Sequence, residues 1–227
     1  MKTIALLLTA LAVLIALLAV EHRRGTVVRL YDWIRDSWGE PERMADRDGP
    51  PAFFNDGPQC LKRLQRQKDL DYVALDGFSN DRGCGARFPV LVQSIAGIDL
   101  EGKGLTLSCP MAERLAQWVK KDVKHLVRTH KKAELVQINH MGSYNCRKIA
   151  GSSSWSQHSF ANAIDVEGLI FKDGERLTIN KDWHSQPILQ ELASTACDRF
   201  NVVLSPNYNA AHKDHLHFDL GPRKTCR

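Results

Sequence analysis

Two histidine-bearing stretches, about fifty residues apart, constrain this chain more than any other feature of it. The first, Ser156 to Glu167 (SQHSFANAIDVE), sets His158 and Asp165 seven positions apart with small residues between them. The second, Asp214 to Asp219 (DHLHFD), places two histidines in i, i+2 relation. In an extended segment side chains alternate, so His215, His217 and Asp219 share one face while Leu216, Phe218 and Leu220 share the other. The apolar face is expected to pack on a core and the histidine face to stay open. The fold must then bring a loop and a strand side by side. Ala161 and Ala163 suit this, because bulk there would hold the two apart.

These residue types in this pattern point to a metal. A hydrolytic zinc ion takes three protein ligands from His, Cys and carboxylate, and it keeps one position for water, whose pKa falls to about 7. His158, Asp165 and one histidine of the later pair make such a set. A single histidine beside a strand is more often a hydrogen-bonded core residue, and His158 and Asp165 alone are a weak signal. Joined to DHLHFD, the pattern becomes specific. Nitrogen and oxygen donors of this kind suit Zn2+.

The residues also carry a resemblance. Ser156-Gln157-His158, Ala161, Ala163 and Asp165 resemble the S-x-H-x-x-G-x-A-x-D motif of the D-Ala-D-Ala carboxypeptidase-like zinc peptidases, the LAS group, with Ala161 where glycine is usual. Their second motif, H-x-H, is met by His215-Leu216-His217. More closely, GSYNCR at Gly142 to Arg147, GCG at Gly83 to Gly85, Ser108-Cys109-Pro110 and the terminal HKDHLHFD look like the bacterial extensin-like C-terminal domain family, from about Cys60 to Gly221. That resemblance implies a fold related to the zinc peptidases. By the family pattern His158, Asp165 and His217 are the metal ligands, and His215 is left to act as general base.

Asp214 competes for that role, standing three residues before His217, where E-x-x-H members of the zinc peptidases place their base carboxylate. Strand alternation turns it away, which favours His215. Arg147 falls where those peptidases carry an arginine for an oxyanion or a substrate carboxylate, and its fixed fork of donors suits either task. Asp219 is expected to orient a ligand histidine. Ser156 reads as a hydrogen-bonding loop residue, since no Ser-His-acid pattern at nucleophile spacing surrounds it. Glu167 shares a strand face with Asp165, and Tyr144, Trp155 and Asn162 are candidates to line the cleft. His212 and His140 read as structural.

Lys2 precedes an apolar run from Ile4 to Val20, with no small-x-small cleavage site after it. Residues 1–22 are expected to form an uncleaved signal anchor in the membrane. Arg23 and Arg24 conflict with an outward-facing domain under the positive-inside rule. The cysteines favour one, because an even six behind an export segment read as disulfides of an oxidising compartment, here the periplasm. No C-x-x-C pair is present, which argues against a thiolate zinc cluster and a thioredoxin-like role.

Residues 23–58 read as a juxtamembrane segment and a proline-containing linker, and 59–227 as one domain with a proper core. A net charge of +5 suits an anionic partner such as an acidic cell-wall polymer or a lipid surface. The basic residues are scattered among acids, which gives no nucleic-acid footprint.

Within the domain, helices are expected around Cys60 to Gln67, from Cys109 with Pro110 at the first helical position, and from about Pro187 to Phe200. Strands are expected at Glu134 to His140, Ala163 to Phe171, Arg176 to Asn180, Val202 to Leu204 and Leu216 to Leu220. The expected class is α+β: a small antiparallel sheet with helices on one face and the ligands on the other. Two functions fit. One is an envelope zinc hydrolase cutting an amide bond in peptidoglycan; the other is a zinc-stabilised binding or scaffold domain without turnover.

Overall fold

A computed structural model describes residues 57–227. The expected anchor and nearly all of the expected linker lie outside the described residues, among which no helix is long and apolar enough to cross a membrane. The first described element, α1 (Gly57–Gln65), takes in Gly57 and Pro58, which the sequence assigns to the linker. Strands β1 (Leu70–Ala74), β2 (Phe78–Ser79), β3 (Gly85–Ala86), β4 (Pro89–Ile95), β5 (Ile98–Leu100) and β6 (Leu105–Ser108) follow. Helix α2 (Cys109–Trp118) runs through a π turn (Val119–Val123) into α3 (Lys124–His130). Then come β7 (Leu135–Gly142), β8 (Ala163–Phe171), β9 (Arg176–Thr178), α4 (Ile179–Asp182), α5 (Pro187–Ala196), β10 (Val202–Leu204), β11 (Leu216–Asp219) and β12 (Thr225–Cys226).

The class is mixed α+β, and the sheet differs from the expected small antiparallel one. Ten strands form it, in the path β1-β4-β5-β7-β8-β11-β10-β12, with β6 on β4 and β9 on β8. It is also mixed, since β5 pairs parallel with β7 and β10 with β12. The reason is topological: the α2–α3 helix lies between β5 and β7 in the chain, a crossover long enough to return the strand in the same direction.

Alternation along β8 and β11 then separates core from site. Ile164, Val166, Leu216 and Phe218 are buried on one face. Phe218 meets Trp118 of α2 edge-on, with ring centroids 5.1 Å apart, and stacks on Phe200 at 4.9 Å. Asp165 and His217 are directly paired across the two strands and point to the other face. Each strand thus spends its aliphatic positions on the helix layer and leaves its ionisable ones together.

The six cysteines form three disulfides, Cys60–Cys109, Cys84–Cys146 and Cys197–Cys226, the pattern of a domain outside the cytoplasm. Cys60–Cys109 ties α1 to the start of α2. Cys84–Cys146 pins the β2–β3 hairpin to the loop after β7, where Phe78 meets Tyr144 edge-on at 4.8 Å.

Candidate metal centre

The loop between β7 and β8 is built to present His158. Gly142 leaves β7 opposite Asp165 with φ of 111°, a conformation glycine adopts without a Cβ penalty. Ser156 then caps a 3₁₀ turn, Gln157–Phe160, its side chain accepting from the His158 N–H at 3.4 Å. The turn ends at Ala161 in the left-handed region, φ 52° and ψ 28°. Glycine would enter this conformation without a Cβ penalty; alanine, the smallest residue with a Cβ, adopts it here. The Ser159 hydroxyl donates to the Arg147 carbonyl at 2.8 Å and accepts from its N–H at 3.0 Å, and the Ser156 N–H reaches the same carbonyl at 3.1 Å, so the loop is clamped on both sides of His158.

The first group of donors is closely set. His158 Nε2 lies 3.1 Å from His217 Nδ1 and 3.2 Å from Asp165 Oδ2, and His217 Nδ1 lies 2.9 Å from Asp165 Oδ1. A tetrahedral zinc ion with bonds of about 2.0–2.1 Å puts neighbouring ligand atoms about 3.3 Å apart. The observed edges approach that triangle. The outer nitrogens are already committed: His158 Nδ1 donates to the Ser143 carbonyl at 2.6 Å, and His217 Nε2 to Asp219 Oδ2 at 2.9 Å. Both inner nitrogens therefore direct lone pairs at one point beside a carboxylate. Such a point calls for a cation, either a shared proton or a metal ion. Asp219 is itself held by the Gly221 N–H at 2.7 Å, so the partners that fix the imidazoles are in turn fixed. His158 is 3% exposed, and the side chains of Asp165 and His217 are 14% and 12% exposed. These three residues are a group that could hold a metal ion.

Electrostatics agree with this geometry. Burial opposes charge on both Asp165 and His217, yet other contacts outweigh it. Hydrogen bonds from His158 and His217 hold Asp165 well below the usual carboxylate range, and those to Asp165 and Asp219 push His217 up to about 9. Without metal, a proton on His217 thus takes the cation's place. A group raised from 6.5 to about 9 on folding contributes stability that is complete below pH 6.5 and lost as pH rises through about 9. The metal-free domain is expected to lose thermal stability between those limits, and a bound divalent ion is expected to flatten that slope. Thermal unfolding followed by circular dichroism across pH 6 to 9.5, with chelator or with zinc, checks it.

A second pair stands beside the first group. His215 Nδ1 donates to Asp214 Oδ1 at 2.9 Å, and His215 Nε2 lies 3.7 Å from Asp165 Oδ1. The two competing candidates are thus one unit, with the carboxylate on the far side of the ring and Nε2 facing the site. His212, read as structural from sequence, belongs here too: its ring centroid is 5.2 Å from His215 and 6.0 Å from His217. Burial and the neighbouring imidazoles push it down to about 4. The available signal was its spacing, three residues before His215 on a short 3₁₀ turn, Ala210–His212.

Other candidates are placed differently. Asn162 is buried and away from the cleft role expected of it: its amide donates to Gln157 Oε1 at 2.7 Å and accepts from the Ser108 hydroxyl at 3.1 Å, tying the loop to the start of α2. Arg147 is fixed through its backbone while its side chain is exposed, and no described residue bonds its guanidinium. Tyr144 is 37% exposed, and Trp155 carries the Lys148 ammonium over its ring at 3.8 Å. Glu167 lies near His140, whose ring nitrogens are buried without a hydrogen-bond partner and whose pKa burial lowers.

Among known proteins, a family model described as extensin-like protein C-terminus matches residues 58–227. No curated protein and no solved structure matches the chain.

Proposed function

The chain belongs to the extensin-like C-terminal family through residues 58–227, and on that premise we propose that it is a zinc-dependent hydrolase of the cell envelope that cuts an amide bond in peptidoglycan stem peptides. The observation that carries this reading is the juxtaposition of two different histidine environments. His158 and His217 turn lone pairs toward Asp165, while His215 stays outside that triangle with Asp214 behind it.

His158, Asp165 and His217 would hold a divalent ion, which would supply Lewis-acid chemistry and acidify a water near neutral pH. The remaining work falls to the protein's own side chains. His215, with its Nδ1–H committed to Asp214, accepts a proton at Nε2 and can return it to the departing amine. The Asp214 carboxylate stabilises the charged ring, and a hydrogen bond from His215 holds Asp214 below the usual carboxylate range. Arg147, whose side chain is exposed, is available to fork onto a substrate carboxylate. The three disulfides support an envelope location, and the apolar run at Ile4 to Val20 supports membrane attachment.

A second reading, a metal-stabilised binding or scaffold domain without turnover, is favoured by one observation: among the described residues no hydrogen bond or ion pair holds the Arg147 guanidinium in place beside the donor group. Zinc-loaded protein incubated with purified cell-wall fragments separates the two. Mass spectrometry should find muropeptide products one water heavier in total than their parent, formed by wild-type protein and absent with chelator. Stoichiometric zinc with no product from any fragment would leave the binding reading.

A further inference from the structure

At the end of the sheet remote from the metal centre, α3 and the start of β7 enclose a groove of about 550 Å³ lined by Lys124, Arg128, Lys131 and Lys132 over Ile98 and Leu135. Its charge is largely uncompensated. Lys131 is engaged by Glu175 at 2.7 Å, and the lining carboxylate of Glu134 by Lys172 at 3.2 Å. Lys124 donates to the Ala96 carbonyl and lies near Asp69, a carboxylate that Lys120 already engages, and Arg128 and Lys132 meet no carboxylate among the described residues.

Lys121, exposed in the π turn, precedes Lys124 and Arg128 on the same continuous helix. It too has no carboxylate partner among the described residues. The acids of that helix are used elsewhere, Glu113 by Arg63 and Asp122 by Arg199. A solvated helix face usually alternates in sign; here the cations remain and the carboxylates are taken up.

We propose that this basic groove docks the domain on a bilayer surface rich in anionic phospholipid headgroups. Charge complementarity gives the headgroup chemistry, and the aliphatic floor beneath the cations suits an interface that is both charged and apolar. A bilayer is preferred to a soluble polyanion because the same chain carries the apolar run at Ile4 to Val20. Strand β7, eight residues long, starts at the groove with Leu135 and ends at Gly142 opposite Asp165, roughly 23 Å away at about 3.3 Å per residue. Docking by the groove leaves the metal centre open to the space beyond the membrane.

The test is lysine footprinting of the full chain reconstituted into vesicles of phosphatidylcholine alone, or with about one third phosphatidylglycerol, using a membrane-impermeant amine reagent and peptide mass spectrometry. Labelling of Lys121, Lys124 and Lys132 should fall about tenfold in the anionic vesicles and recover at about 0.5 M salt, while exposed Lys213 near the metal centre is unchanged. The combined variant Lys124→Gln, Arg128→Gln, Lys132→Gln should lose the lipid-dependent shielding of Lys121 while keeping its metal content. Equal labelling in the two lipids overturns the proposal. So does shielding that appears only when inorganic polyphosphate is added, which would assign the groove to a soluble polyanion.

Discussion

His217→Ala is expected to abolish stoichiometric metal uptake and to destabilise the domain even without metal. The first effect follows from the donor set: two ligands remain, and the closest contacts of Asp165, 2.9 Å to His217 Nδ1, and of His158 Nε2, 3.1 Å to the same atom, are both lost. The loss of affinity should exceed the roughly 10–100-fold that follows removal of a residue merely orienting a ligand. The second effect follows from what is left behind. Asp219, only 7% exposed, would keep the Gly221 N–H but lose its imidazole partner, a vacancy costing roughly 1–3 kcal/mol and more if the carboxylate stays charged. Elemental analysis of the purified variant reads the first effect, and thermal unfolding in chelator reads the second. Asp219→Asn should keep a weaker site, because the amide can still accept from His217.

His215→Ala is expected to divide the two functions of the site, keeping metal and losing hydrolysis by about 10²–10⁴-fold. His215 Nε2 is 3.7 Å from Asp165 Oδ1, outside the close triangle, and its other nitrogen is tied to Asp214 rather than to any residue that fixes a ligand. Asp214→Asn should fall between wild type and His215→Ala, since the ring stays in place while its charged form loses support. The measurement is the initial rate of muropeptide release, paired with zinc content on the same sample. If His215→Ala loses zinc along with activity, His215 is a fourth ligand and the proton-transfer role falls.

Much of the site half of the fold was legible because its signals are local. Strand β8 is expected at Ala163 to Phe171 and is found there, since its apolar, β-branched run ends at the Lys172 to Glu175 turn. The start of α2 was equally readable from Ser108 and Pro110, and Ser108 does accept from the Met111 N–H at 3.3 Å. The N-terminal half of the sheet was not. Strands β1, β5 and β6 are short, β4 to β6 are separated by turns with Gly97, Gly102 and Gly104 at positive φ, and β1 carries a register shift at Asp71/Tyr72. Parallel pairing of β5 with β7 joins segments nearly forty residues apart, which no local pattern encodes.

At the site, residues within a strand pattern were easier to place than residues on loops. The grouping of His158, Asp165 and His217 follows from alternation plus one capped turn. Asn162 and Arg147 lie on irregular chain, where side-chain direction depends on tertiary bonds such as Ser108 to Asn162. The joint arrangement of Asp214 and His215 escaped alternation for the same reason: β11 begins only at Leu216, so the two preceding residues are free of the strand's facing rule.

The most direct measurement is zinc-edge X-ray absorption on the purified protein, together with its metal stoichiometry. The expected result is one ion per chain, with two imidazole nitrogens and one carboxylate at about 2.0–2.2 Å and an oxygen from solvent. A protein that stays metal-free after zinc addition, or an ion whose spectrum is unchanged in His158→Ala and His217→Ala, would contradict the convergence of these residues on a single cation.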